Sequence, residues 1–439
     1  MAVLAAVRRL SWGALALLGF AGCSKDDILR PDVPDVIDPD ALNNLQGTTA
    51  IYNGAISDLV FGTTGTSIGL VIYAGLFADE FMHAAADPGV RDWDLRNVSP
   101  DNLTAINGRG PFIGLHRART ALESGAGKLA TLLPANDKRV GELWGLAGMT
   151  YILFGENFCS GTPFSERDPT IELGGPITTD EMFNRALDRL NTAAGSTGGD
   201  ARTTNLTAVL RGRALLNLGQ FSQAAQAVAT VPTSFVYEFF HAIAPARQNN
   251  NIFLQNSSDN FSVSDREGTN GLNFASAGDP RVPASTPRLS RRDGLTPQVY
   301  FLKYTSAADP VAMVTGIEAR LIEAEAALQA NDIPGWLGKL NTARGTIPAL
   351  GPLADPGSTA ARVDLTFRER AFWMFLTGHR IGDLRRLVRQ YGRAKESVYP
   401  TGAYHKLGVT HGPQATLRVP APEENNPNYK RSDCTQDTP

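Results

Sequence analysis

Very little in this chain suggests a metal or redox centre. Histidine occurs six times and cysteine three times in 439 residues, and the histidines are scattered, with no His-Glu-x-x-His helix. A Walker phosphate loop is missing as well. No metal or cofactor is therefore expected. Charge of one sign is also lacking: 41 basic against 44 acidic residues leave a net charge of −3, which is not the balance of a nucleic-acid binder. Long apolar runs are confined to the N-terminus, and no later run is long enough to span a bilayer. A hydrophobic content of 42% nevertheless places the chain among globular proteins, and its length allows a substantial core.

The N-terminus carries a distinct signal. Arg8 and Arg9 precede an apolar run, Leu10 to Ala21, that ends at Gly22-Cys23. A positive segment, a short apolar segment and small residues before a cysteine form an export signal, here residues 1–22. Cleavage before Cys23 frees its thiol to carry lipid, whose chains hold a protein to a membrane through ~0.8 kcal/mol per buried methylene. Phe20 stands three residues before the cysteine, where a bacterial lipobox usually has an aliphatic residue. Ordinary secretory cleavage is the alternative. Ser24-Lys25-Asp26-Asp27 reads either as a surface-export signal or as a solvated tether. Pro31, Pro34 and Pro39 among Asp32, Asp35, Asp38 and Asp40 make residues 23–40 a stiff, extended linker. Without residues 1–22, which hold two arginines and no acid, the charge becomes −5. Cys159 and Cys434 remain. In an oxidising compartment they either pair, stapling the C-terminal tail to a mid-chain helix end, or stay free.

Residues 41–439 read as one domain of helices. Leu42, Leu45, Ile51, Ala55 and Leu59 recur at helical intervals, with a slip near Gly47. Gly62–Gly69 is a loop, 70–81 is apolar, 83–111 is polar and turn-rich, and Phe112–Leu122 is helical. Val140, Leu143, Trp144, Ala147, Tyr151 and Phe154 share one helix face. Thr179-Asp180-Glu181 starts another helix, with acids at the positive end of its dipole. Residues 205–231 form a helix–turn–helix of tetratricopeptide type, turning at Gly219-Gln220-Phe221. A second hairpin spans 316–345 and breaks at Asn331-Asp332. Such hairpins bury their apolar faces only by stacking, so several of them imply one continuous scaffold. Residues 233–300 lose this periodicity. Phe235–Phe240 and Ile252-Phe253-Leu254 are predicted strands within a long insertion, of the kind usually reserved for function.

Gly65-Thr66-Ser67-Ile68-Gly69 matches the nucleophile-elbow pattern, which needs a strand before the serine and an α/β sheet around it. The helical remainder favours a simple loop. Asp79/Glu80 and Asp92/Asp94 are read as solvated acids or caps, because glycosidase chemistry depends on a carboxylate separation that sequence does not give. An aromatic ring among polar residues can hold the apolar face of a ligand ring while Asn, Asp, Gln or Arg meet its hydroxyls. Trp144, Trp336 and Trp373 sit on periodic apolar faces and belong to the core. Trp93 lies in the polar run Asp92–Asn97 and is the first candidate for stacking. Tyr237, Tyr300 and Tyr304 flank the insertion as further candidates, and Gln248–Asn251 could supply hydrogen bonds.

Several short segments, in order, resemble one family. Gly278-Asp279-Pro280-Arg281, Glu318 through Arg344, Glu369-Arg370, Gly378-x-Arg380-x-x-Asp383-Leu384, Val419-Pro420-x-Pro422-Glu423 and Asn426-Pro427-Asn428 are similar to motifs of the SusD/RagB family, and Gly141–Pro163 resembles its long helix. Trp373 and Thr377 stand where the family often has acids. The resemblance implies a mainly α, tetratricopeptide-like scaffold with a loop-rich insertion, on an outer-membrane lipoprotein facing the cell exterior. It implies a non-catalytic binder that delivers oligosaccharide to a SusC-like TonB-dependent outer-membrane transporter, as its lid. The signature residues Glu369, Arg380 and Asp383 are expected to form a mutually satisfied network between helices. The alternative reading is a helical-repeat surface scaffold for protein or peptide ligands; a hydrolase using Ser67 is a distant third.

Overall fold

The protein is described by a computed structural model covering residue 42, residues 44–167 and residues 171–439. The export signal, Cys23 and the tether through residue 40 lie outside the described residues. The chain divides into two units, Met1–Thr48 and Thr49–Pro439. Among the described residues no helix is long and apolar enough to cross a membrane.

Helices dominate: α1 Gly47–Thr63, α2 Leu70–Phe77, α3 Pro88–Asp94, α4 Pro111–Leu132, α5 Lys138–Asn157, α6 Thr179–Ala194, α7 Ala201–Asn217, α8 Phe221–Val228, α9 Asn251–Ser257, α10 Gly316–Gln329, α11 Ile333–Arg344, α12 Thr359–Trp373 and α13 Arg380–Arg389. The helix starts follow from their sequences. Asp137, Asp200, Asp332, Thr178, Thr315 and Ser358 each accept a hydrogen bond from a backbone N–H of the first turn, satisfying donors the helix cannot satisfy itself. The expected hairpins are α7–α8 and α10–α11. Gly219 adopts φ 72° in the first turn and Asn331 φ 57° in the second, conformations suited to glycine and tolerated by asparagine. α4 packs on α5, α5 on α6 and α7, α7 on α8, and α8 on α10, so the hairpins stack in sequence order. Close approach needs small residues: a Cβ on Gly155 would stand 2.7 Å from the Phe183 ring.

The strands are short and form two-stranded pairs. β1 (Phe81–His83) pairs with β7 (Phe261–Val263), β2 (Thr162–Pro163) with β5 (Pro176–Ile177), β3 (Glu166–Arg167) with β4 (Ile171–Glu172), and β8 (Arg288–Leu289) with β9 (Pro297–Gln298). The pair β6 (Val236–Phe239) and β10 (Val311–Thr315) is antiparallel, with Val236 opposite Thr315 and Phe239 opposite Val311. The irregular insertion thus leaves and rejoins the helical scaffold at one place. Two local expectations are corrected. Ile252-Phe253-Leu254 lies in α9, because Asn250 caps a helix by accepting from the Phe253 N–H. The polar stretch 83–111 contains α3, capped by Asp87 with Pro88 in its first turn.

The interior holds an unusual number of charges. The Arg380 Nε and Nη2 donate to Asp79 at 2.6 and 2.8 Å. Arg370 and Arg386 both donate to Asp383, and Arg386 also meets Glu325. Glu369 accepts from Arg281 at 2.6 Å and Arg344 at 2.8 Å. Arg213 of α7 donates to Glu156 of α5 at 2.8 Å, and the Glu318 carboxylate lies 3.1 Å from His379 Nε2. Glu369, Arg380 and Asp383 are therefore satisfied, but by three different sets of partners and not by one another. Unpaired, each would be costly in such surroundings. Cys159 and Cys434 form a disulfide, with Cα atoms 5.4 Å apart, that ties the tail to the end of α5.

Candidate ligand-binding site

The residues proposed from sequence for sugar stacking do not gather at one surface. Trp93 is 1% exposed, packs edge-on against Tyr73 with ring centres 4.8 Å apart, and donates its indole N–H to Thr104 at 2.7 Å. Its face is enclosed by protein. It faces inward because α3 lays it against α2, which is buried along its whole length. Tyr237 is buried, and its hydroxyl donates to Glu142 at 2.7 Å. Tyr304 is buried with its edge on Phe301. Tyr300 alone is half-buried; its hydroxyl donates to Asp259 at 2.6 Å, and Arg288 lies 5.1 Å over its ring. None of the four offers a clear stacking platform.

Ser67 sits exposed in a turn between α1 and α2. A helix precedes it where a nucleophile elbow requires a strand. Asp79 and Glu80 are buried within the charged interior rather than solvated. Burial pushes the Glu80 carboxyl up to about 8, although it accepts from the Leu376 N–H.

A different place has the mixed character that sugar recognition needs. One face of α4 presents Ile113, His116, Arg117, Thr120 and Ser124 at intervals of three and four residues, and this face borders an open cavity of about 830 Å³. Asp58 of α1 stands at one side, and Pro163, Ser165, Glu166 and Glu423 at the other. The volume lies within the range of ordinary ligand clefts, ~300–1,000 Å³. Behind this face lies a buried aromatic cluster that supports it: His116 lies 4.6 Å from Phe112, 4.3 Å from Phe154 and 5.0 Å from Phe164, ring centre to ring centre. Burial, with help from Arg119, holds the imidazole neutral by lowering its pKa well below the usual value. Its Nε2 has no hydrogen-bond partner.

Polar groups line the walls. Arg119 is fixed: it donates to Glu123 at 2.7 Å and to the Ser165 carbonyl. Arg117 is exposed and donates to the Gly108 carbonyl at 3.4 Å, a weak bond that a ligand hydroxyl could replace. Burial raises the Glu423 pKa, so this carboxyl gains the proton more readily than a surface acid. Arg247 pairs with Asp58 on one side, and its loop carries Phe240 and Ile243, exposed by 69% and 71%. The chemistry of these groups is binding: planar donors and acceptors beside the apolar Ile113 and Pro163, and no nucleophile–base pair on α4. The sequence pattern hid this face because it predicts that α4 ends near Leu122, before Ser124.

No protein-family model matches the sequence, and no curated protein does. Solved structures match along almost the whole chain. A SusD superfamily protein from Bacteroides thetaiotaomicron superposes with a TM-score of 0.63 at 15% identity, covering 90% of this chain and 100% of that one. One from Parabacteroides distasonis gives 0.66 at 12% identity, covering 88% and 98%. A SusD-like carbohydrate binding protein from Bacteroides vulgatus gives 0.58 at 14% identity, covering 78% and 83%. At such identities the likeness is one of architecture: stacked helical hairpins interrupted by a loop-rich insertion. The chain has the mainly α, tetratricopeptide-like fold of the SusD superfamily.

Proposed function

We propose that the protein is a non-catalytic carbohydrate-binding lipoprotein of the cell surface, handing oligosaccharide to a TonB-dependent outer-membrane transporter. The observation that carries this reading is the near full-length correspondence with SusD-superfamily structures, among them a SusD-like carbohydrate binding protein. The α4 cavity, with Arg117, Thr120, Ser124 and Glu166 beside the apolar Ile113 and Pro163, supplies a surface of suitable chemistry. Export and anchoring rest on residues 1–23: cleavage before Cys23 and acylation of its thiol would moor the chain by its tether.

An oligosaccharide array followed by calorimetry tests the binding. Arg117→Ala and Phe240→Ala alter exposed side chains and leave the core intact. One of them is expected to weaken the best sugar at least tenfold. A chain that retains peptides and no sugar overturns the reading in favour of a helical scaffold for protein ligands. Intact mass of the mature N-terminus checks the anchor, which an unmodified Cys23 defeats. Co-purification of a β-barrel transporter from membranes checks the partner.

A further inference from the structure

Away from the α4 cavity, three segments remote in sequence bring titratable groups together. Asp94 ends α3, Glu267 follows β7, and His405 lies in a C-terminal hairpin closed by the bridge between Ala403 and Thr410. One ligand atom from each lies within 4.8 Å of the others. Asp94 and Glu267 are 0% and 2% exposed.

Each of the three is held by one atom and leaves another without a hydrogen bond of ordinary geometry. Asp94 Oδ2 accepts from the His83 backbone N–H at 2.8 Å and from the Tyr404 hydroxyl at 2.6 Å, while Oδ1 has no partner. Glu267 Oε2 accepts from Ser264 at 3.3 Å, while Oε1 has none. His405 Nε2 lies 3.2 Å from the His83 carbonyl, an acceptor only, so Nε2 carries the proton and Nδ1, also unpartnered, keeps its lone pair. Histidines that bind metals are oriented in this way, by a second-nitrogen bond to a carbonyl. His411 stands beside them with its side chain fully buried. Both its ring nitrogens lack partners, and its Nε2 is 3.9 Å from Glu267 Oε1.

The neighbouring cations do not answer the two carboxylates. Lys406 donates to the His83 and Ala85 carbonyls and to Asp293. Arg96 donates to the carbonyls of Gln414, Pro400 and Gly412. Two buried carboxylates side by side repel unless a proton or a cation joins them.

We propose that Asp94, Glu267 and His405 bind one divalent transition cation of the Zn²⁺ class, with His411 beside them as a further donor. Metal–ligand bonds of ~2.0–2.2 Å in a tetrahedral site put donors ~3.3–3.6 Å apart, so ligand atoms now within 4.8 Å of one another close on one ion by side-chain shifts of roughly an ångström. One or two imidazoles with two carboxylates favour this class over Ca²⁺ or Mg²⁺, which take oxygen sets. The ion would clip α3, the insertion and the C-terminal hairpin to one another, and it stands independently of any sugar ligand.

The test uses the full chain stripped with EDTA, then titrated with Zn²⁺ alone against a chromophoric chelator, with the metal counted by mass spectrometry. One equivalent per chain is expected, with a melting temperature that rises with Zn²⁺ and does not respond to the same concentration of Ca²⁺. His405→Gln and Glu267→Gln are expected to weaken Zn²⁺ at least tenfold, the loss seen even when only a supporting residue of a metal site is removed. Glu267→Gln also takes away one of the two facing carboxylates, so its metal-free form should melt no lower than the parent, which separates lost binding from lost folding. Zn²⁺ bound far below one equivalent, or bound equally by the parent and both variants, overturns the proposal. The first result would leave a proton shared between Asp94 and Glu267.

Discussion

Asp383→Asn is a direct test of the charged interior. The carboxylate is 3% exposed, with both oxygens 3.0 Å from Arg370 Nε and Oδ1 2.8 Å from Arg386 Nη2. Burial alone would raise its pKa. The two guanidiniums outweigh that and hold it well below the usual carboxylate range. The substitution keeps the shape and removes the charge, leaving Arg370 and Arg386 with Glu325 alone, from which Arg370 Nε is 3.9 Å away. Removing one partner from a buried ion cluster costs about 3–5 kcal/mol. At about 2.1 cal/mol/K per residue, a chain of roughly 400 residues unfolds with about 0.8 kcal/mol/K near its midpoint, so Tm should fall by about 4–6 °C. Calorimetry or circular dichroism measures this. Asp180→Asn is the control: it removes an exposed partner of Arg389, worth no more than about 1 kcal/mol. A folded pKa below the unfolded one stabilises above the unfolded value, near pH 4, and that gain fades only as pH falls through the folded value. The difference between parent and variant should therefore persist from pH 8 to about pH 5. Equal losses from Asp383→Asn and Asp180→Asn would refute the reasoning.

Cys159→Ser with Cys434→Ser should lower stability by about 2–5 kcal/mol; an unchanged denaturation midpoint would show that the bridge constrains nothing. The bridged residues are 275 apart, for which the chain-entropy relation gives about 5–6 kcal/mol, and fraying of the tail alone would reduce that. Burial would raise Asp259, but hydrogen bonds from Arg288 and Tyr300 hold it at about 2. Its contribution is full above about pH 4 and lost as pH falls toward 2, so Asp259→Asn should flatten that part of the stability curve, measured by acid titration of the fluorescence midpoint. Trp93→Ala should cost about 3–5 kcal/mol, as large truncations in a core do, while Trp93→Phe should leave any sugar affinity within about twofold; a selective loss of binding in a folded Trp93→Phe chain would return this residue to the site.

The hairpins were legible because their signals are local. Gly219 and Asn331 mark turns by backbone chemistry, and Leu206, Leu210 and Ala214 recur on one face. β6 was legible too, and its alternation could have been taken further. Val236 is exposed while Tyr237 and Phe239 are buried, as a half-covered strand requires, so Tyr237 was an unlikely platform from the start. Trp93 misled because its neighbours Asp92 and Asp94 look solvated. The cap Asp87 and Pro88 announce a short helix there, and only its packing on Tyr73 turns the indole inward. Arg386 stands three residues after Asp383, within reach of helix spacing, but Arg380 is 301 residues from Asp79 and Arg281 is 88 from Glu369, and pairing between separate elements leaves no periodic trace. For the same reason Asp94, Glu267 and His405 appeared as three unrelated residues, and scattered histidines suggested no metal.

The C-terminal segment completes the middle of the molecule. Leu417 bridges to Phe158, its N–H reaches the Asn157 carbonyl, and Val419, Tyr429 and Cys434 are buried. A nascent or truncated chain that ends before these residues therefore lacks part of its own interior.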